Sequence, residues 1–162
     1  MAQRSPPPRE RKVVRLKEFD YSDESRAYFV TLRAKKGTRP FESQELARDV
    51  FQGLECLREN RKCSVFAYCL MPDHLHLVLS PIGGKRSVSD LIRDFKSHTT
   101  RCSWRLGWSG PLWQRSFYDH VGRRREDLVK MCEYILGNPV RAGFVESVSS
   151  WPYSGRPDPL PW

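Results

Sequence analysis

Cys63-Ser64-Val65-Phe66-Ala67-Tyr68-Cys69-Leu70-Met71-Pro72-Asp73-His74-Leu75-His76-Leu77-Val78-Leu79-Ser80 is the stretch on which the fold turns. Cys63 to Leu70 and His74 to Ser80 are β-branched, aromatic and apolar runs of strand length. Between them, Met71-Pro72-Asp73 reads as a short turn, so the two strands form an antiparallel hairpin. In the second strand, side chains alternate between faces. Leu75, Leu77 and Leu79 share one face, expected to be the core face, while His74, His76 and Val78 share the other. Two imidazoles at i and i+2 lie close enough to hold one ion, or are simply polar strand positions.

Outward from the hairpin, the signals alternate between strand and helix. Ala27 to Ala34 reads as a strand. Ser43 caps a helix that places Leu46, Val50, Leu54 and Leu57 at helical spacing. Gly83-Gly84 ends the hairpin unit. Ser87 and Asp90 form a capping box for a second helix, with Val88, Leu91, Phe95 and Cys102 on one side. Phe117 to Val121 is a candidate fourth strand. A third helix runs from about Glu126 to Leu136 and stops before Pro139. The order β-α-β-β-α-β-α predicts an α+β ferredoxin-like sandwich, with a mostly antiparallel sheet and helices packed on a face. The domain spans residues 21–155. Residues 1–20 read as a flexible basic arm, and residues 156–162 as an irregular Pro-rich tail.

The chain has 162 residues, sufficient for one compact domain. Its 28 Lys and Arg against 19 Asp and Glu give a formal charge of +9, which favours a polyanionic partner. No apolar run approaches the roughly 20 residues that span a bilayer, and no secretory leader is visible, so a cytoplasmic location is expected. The five cysteines form no CxxC pair and read as reduced thiols, four of them in the core.

The third helix adds candidate chemistry. At 100° per residue, Leu128, Val129, Cys132, Ile135 and Leu136 form one apolar stripe. Tyr134 falls roughly 140° from its centre by the same geometry, beside Asp127, Lys130 and Asn138. It is either an exposed surface residue or a functional one. Asn138 lies one turn beyond it, as a metal-facing amide or as a helix-terminal residue before Pro139. Two neutral imidazoles and an amide oxygen suit a divalent ion that also binds phosphate, and a tyrosine can attack such a phosphate. His98 is expected to be buried and structural, and Tyr118, the rival nucleophile, to pack. Arg93 and Lys96 on the second helix, and Arg123, Arg124 and Arg125 before the third, are candidate DNA-backbone contacts or solvated charges. Trp104, Trp108 and Trp113 are candidate base-stacking surfaces or core residues.

At this level the chain resembles the single-tyrosine HUH transposases, in particular the REP-associated tyrosine transposases and the insertion-sequence 200-like enzymes. The resemblance rests on Met71-Pro72-Asp73-His74-Leu75-His76, on Leu112-Trp113-Gln114-Arg115-Ser116-Phe117-Tyr118-Asp119-His120-Val121, and on Tyr134-Ile135-Leu136-Gly137-Asn138-Pro139-Val140-Arg141-Ala142-Gly143-Phe144-Val145. Asp94-Phe95-Lys96 and Trp151-Pro152-Tyr153-Ser154 add to it. It implies the HUH endonuclease fold and dependence on Mg²⁺ or Mn²⁺. It also implies cleavage of single-stranded DNA beside hairpins through a 5′-phosphotyrosine. Tyr134 would be the nucleophile, with His74, His76 and Asn138 as metal ligands, in a monomer or homodimer. The alternatives are a hairpin-binding module for DNA or RNA without catalysis, and a water-using phosphodiesterase.

Overall fold

The structure is a computed structural model that describes residues 20–60, 62–122 and 125–161. Its centre is the predicted hairpin: β2 (Cys63–Met71) and β3 (His74–Pro81), with Met71 opposite His74 across a tight Pro72-Asp73 turn. β1 (Ala27–Arg33) pairs antiparallel with β3, and β4 (Tyr118–Gly122) pairs antiparallel with β1. A two-residue β5 (Ser154–Gly155) adds to the other edge, giving the order β4-β1-β3-β2-β5. Every pairing is antiparallel, and the α+β ferredoxin-like expectation holds.

The two sheet faces differ in chemistry. Leu75, Leu77 and Leu79 are essentially inaccessible and join Tyr28, Val30 and Leu32 of β1 in the main core. α1 (Gln44–Glu59) and α2 (Val88–Arg105) cover this face with Val50, Leu54, Leu91, Ile92 and Phe95. Ser43 caps α1 through the Leu46 amide, and the Ser87–Asp90 capping box opens α2 as expected. The two helices approach closely at Gly53, where a Cβ would lie 3.0 Å from Thr99 and 3.1 Å from Phe95. Trp113 fills the same core between Phe41 and Phe95.

α3 (Arg125–Leu136) packs on the opposite face, where the element order alone had suggested helices gathered on one face. Its buried Leu128, Cys132 and Ile135 need an apolar floor, and Phe66, Ala67, Cys69, Met71 and Val78 supply it. This second, smaller core carries α3 over the histidine side of the hairpin. Pro139 does not end the helical path outright. Gly137 stays in the right-handed region, and a further turn, α4 (Asn138–Arg141), follows directly.

Three other expectations change. His98 is exposed, because it lies about 80° from the centre of the buried α2 face formed by Val88, Leu91, Ile92, Phe95, Thr99, Cys102 and Ser103. Tyr118 is 46% exposed on an edge strand and does not pack in the core. The Pro-rich end, irregular over most of its length, is anchored. The Asp158 carboxylate accepts from Arg58 Nε at 2.9 Å, Arg58 Nη2 at 2.6 Å and the Val65 amide at 2.7 Å, where β2 carries a bulge. Residues 1–19, the bulk of the proposed basic arm, lie outside the described residues. Cysteines 63, 69, 102 and 132 are buried free thiols, and Cys56 is exposed and free.

Candidate active site

The histidine face of the sheet gathers the chemistry. Directly opposite residues in an antiparallel pair project to the same side. Register therefore sets Tyr118, Thr31, His76 and Cys69 in one row, and Arg33, His74 and Met71 in the next. The His74 and His76 rings lie 4.6 Å apart at 82°. Each has its Nδ1 engaged. His74 Nδ1 donates to Asp73 Oδ1 at 2.6 Å, and His76 Nδ1 meets Thr31 Oγ1 at 2.8 Å. With Nδ1–H as the donor in both, each Nε2 keeps its lone pair, and neither Nε2 is hydrogen-bonded among the described residues. A carboxylate or hydroxyl behind an imidazole is the arrangement that orients a metal-binding histidine.

Burial keeps His76 neutral, its pKa pushed down to about 3. The neighbouring His74 and the cations Arg33 and Arg141 add to that shift, and Asp73 opposes it. A neutral imidazole is the form that binds a metal.

Tyr134 stands over this face. It is 55% exposed, as its position off the apolar stripe predicts. Its ring meets Phe29 edge-on, centroids 6.2 Å apart, and Phe29 in turn stacks on His76 at 5.5 Å. One phenylalanine thus separates the phenol from the imidazole of the same chain. Asn138 opens α4, one turn after Tyr134. Its Oδ1 accepts from Arg141 Nη2, while its Nδ2 is buried and lacks a partner among the described residues.

The donor set bears on what ion would fit. The described residues hold no group of three or more His, Cys, Asp or Glu suited to a metal. Two imidazole Nε2 atoms side by side suit a divalent ion with open positions. The candidate third ligand is Asn138, one helical turn after Tyr134, whose amide Nδ2 lacks a partner among the described residues. Its oxygen is engaged by Arg141, so presenting it to an ion requires that contact to open.

The proposed DNA contacts are dispersed. Arg93 pairs with Asp90 at 3.1 Å and Asp94 at 3.7 Å on α2, on the leucine side. Lys96 donates to the Gln114 and Arg115 carbonyl oxygens on the same side. Arg125 begins α3, nine residues and roughly 14 Å from Tyr134 along the helix. Arg123 and Arg124 lie outside the described residues. Trp104 is 52% exposed, and Trp113 is core. Sequence reasoning missed the cations that do face the imidazoles, Arg33 and Arg141. Arg33 is the strand partner of His74, and Arg141 follows Tyr134 by seven residues, a helical spacing masked by reading Pro139 as a stop. It also missed that Tyr118 shares the His76 face.

Comparison with known proteins agrees with this architecture. The family profile described as "Transposase IS200 like" matches residues 24–138. A REP-associated tyrosine transposase of Escherichia coli K12 is 30% identical over 98 residues, covering 60% of this chain and 57% of that protein. A Haemophilus influenzae protein named "Putative REP-associated tyrosine transposase" is 35% identical over 99 residues, covering 54% and 56%. The chain thus spans a little over half the length of these curated relatives. The solved structure of a REP-associated tyrosine transposase bound to a REP hairpin superposes with a TM-score of 0.70 at 24% identity, over 81% of this chain and 76% of that one. With residues 24–138 matched by the profile, and with the paired histidines and the helix-borne tyrosine inside that span, the chain belongs to the IS200-like transposase family.

Proposed function

We propose that this protein is a metal-dependent endonuclease and transesterase for single-stranded DNA that carries hairpins. The observation behind this reading is the placement of Tyr134 over the sheet face of His74 and His76, with Phe29 between the rings and both Nε2 atoms unengaged among the described residues. His74, His76 and, once released by Arg141, Asn138 would hold Mg²⁺ or Mn²⁺. That ion supplies Lewis acidity to the scissile phosphate.

The chain's own residues do the rest. The Tyr134 phenolic oxygen attacks the phosphorus and gives up its proton, which is balanced by the proton taken up at the departing 3′ oxygen. A Tyr–O–P bond forms as the bond from phosphorus to the 3′ oxygen breaks, and the departing strand leaves as a 3′ hydroxyl. The DNA stays on the protein through its 5′ phosphate, and a second 3′ hydroxyl can reverse the step or join a new strand. Thr31 and Asp73 fix the two imidazoles, and Phe29 packs between the phenol and His76.

The relatives support the substrate class. One solved neighbour is bound to a REP hairpin, and its family name describes a transposase. No helix among the described residues is long and apolar enough to cross a membrane. A hairpin-bearing single strand incubated with Mn²⁺ and run on a denaturing gel tests the reading. A covalent protein–DNA band that requires both metal and Tyr134 supports it. Binding without any adduct would favour the non-catalytic module, and strand cutting without an adduct would favour water as nucleophile.

A further inference from the structure

Arg141 is partnered differently from the arginines that meet a carboxylate; Arg105, whose recorded acceptor is the Cys102 sulfur, also lacks one. Arg26, Arg39, Arg58, Arg86 and Arg93 each pair with a carboxylate. Arg141 has no carboxylate partner among the described residues. Its guanidinium lies 4.2 Å from the centroid of the Tyr134 ring and donates to two neutral oxygens, the Tyr134 carbonyl and Asn138 Oδ1. Neutral acceptors satisfy its N–H groups without neutralising its charge. The side chain is nonetheless exposed, so an anion can reach it.

Gly137 leaves room for this pose. Its backbone, φ −77° and ψ −7°, is ordinary right-handed helix that any residue adopts. Glycine in helical backbone is less stable than alanine, so local backbone conformation does not explain it. Space does: a Cβ at Gly137 would lie 2.7 Å from Arg141 Nη1. Nη1 is the far end of a flexible side chain, so a methyl at position 137 would push the guanidinium out of this pose without disturbing the backbone.

We propose that Arg141 is a phosphate-binding residue that seats the DNA backbone over the Tyr134 ring, exchanging the neutral Asn138 oxygen for a non-bridging phosphate oxygen. A guanidinium suits this role because its planar fork of donors matches phosphate, and charge-assisted bonds exceed those to a neutral amide. The exchange also frees Asn138 Oδ1. The inference rests on the reading of Tyr134 as nucleophile for its claim on the attacked phosphate, but not for its claim on DNA binding.

The test is a binding measurement in EDTA, with a hairpin-bearing single strand whose phosphates are replaced one at a time by neutral methylphosphonates. One replacement is expected to weaken wild-type binding about tenfold and to leave Arg141→Ala unaffected. Arg141→Ala should lower the slope of log affinity against log salt by about 0.7, the value for one single-strand phosphate contact. Gly137→Ala keeps the charge and displaces it; it should lose the same phosphate preference while folding normally. It carries the test if Arg141→Ala does not fold. An unchanged salt slope in Arg141→Ala, or a scan in which every replacement costs wild type and variant equally, overturns the proposal. So does a contact at a phosphate other than the one found joined to Tyr134. A scan with the expected contact but no wild-type adduct upholds Arg141 as the backbone seat and overturns the nucleophile reading.

Discussion

Thr31→Val isolates the support behind one imidazole. Thr31 is 7% exposed, and its Oγ1 lies 2.8 Å from His76 Nδ1. Valine keeps the shape and replaces the hydroxyl with a methyl. The Nδ1–H of a largely enclosed ring then has no protein acceptor, which costs up to about 1–3 kcal/mol. The added methyl returns up to about 0.8 kcal/mol as apolar surface, so a net loss of about 1–2 kcal/mol is expected. The larger effect is on the metal. Without its hydroxyl partner, His76 is free to change tautomer or rotate, and loss of such a supporting bond typically lowers metal affinity 10–100-fold. Thr31→Ser keeps the oxygen and should restore most of that affinity. Urea denaturation reads the stability term, and electron paramagnetic resonance titration of Mn²⁺ reads the affinity. Titrations in the presence of single-stranded DNA should use a Tyr134→Phe background, to prevent cleavage. Wild-type Mn²⁺ affinity in Thr31→Val would refute the reasoning that the hydroxyl orients a metal ligand.

Other consequences follow from the same geometry. Asp158→Ala removes the carboxylate held by Arg58 and the Val65 amide; a loss of about 2 kcal/mol in urea is expected, and an unshifted midpoint would mean the chain end contributes nothing to β2. The Arg58 hydrogen bonds keep that carboxyl below the usual carboxylate range, so its contribution is present above the unfolded pKa and lost as pH falls through the lowered folded one. His76 behaves alike for a different reason: burial lowers its folded pKa to about 3, so the unfolded chain takes up the proton first. The stability difference between wild type and His76→Gln should shrink as pH falls from 6.5 towards 3, and a difference constant with pH would contradict the burial argument. His74→Ala should abolish metal-dependent cleavage while leaving the thermal midpoint nearly unchanged, since the ring lies off the leucine face; retained cleavage, measured as adduct formation, would count against the histidine pair.

The hairpin, the capped helices and the leucine face were legible because alternation and capping are local signals. The same alternation put His74 and His76 on the face away from the main core. Tyr134 was legible as an off-stripe residue, since a helix wheel needs only sequence spacing. What the sequence could not convey was three-dimensional neighbourhood. That α3 would cross to the histidine side depended on an apolar floor of Phe66, Ala67, Met71 and Val78, set by a bulge near Val65. Thr31, Phe29 and Arg33 reach the imidazoles only through strand register between residues over 40 positions apart. Arg141 was hidden because proline is a strong stop signal, yet Pro139 sits early in a new turn where its missing N–H is tolerated. His98 failed for a simpler reason: a position at the shoulder of a stripe resembles one within it.

The most direct test of the central claim is peptide mapping of the covalent adduct formed with hairpin-bearing single-stranded DNA in Mn²⁺, with Tyr134→Phe and Tyr118→Phe run alongside. Tyr118 is the right control, being exposed and in strand register with Thr31 on the His76 face. The expected result is DNA joined through its 5′ phosphate to the Tyr134 peptide, no adduct in Tyr134→Phe, and an adduct retained in Tyr118→Phe. DNA on the Tyr118 peptide, or an adduct that persists in Tyr134→Phe, would contradict the account.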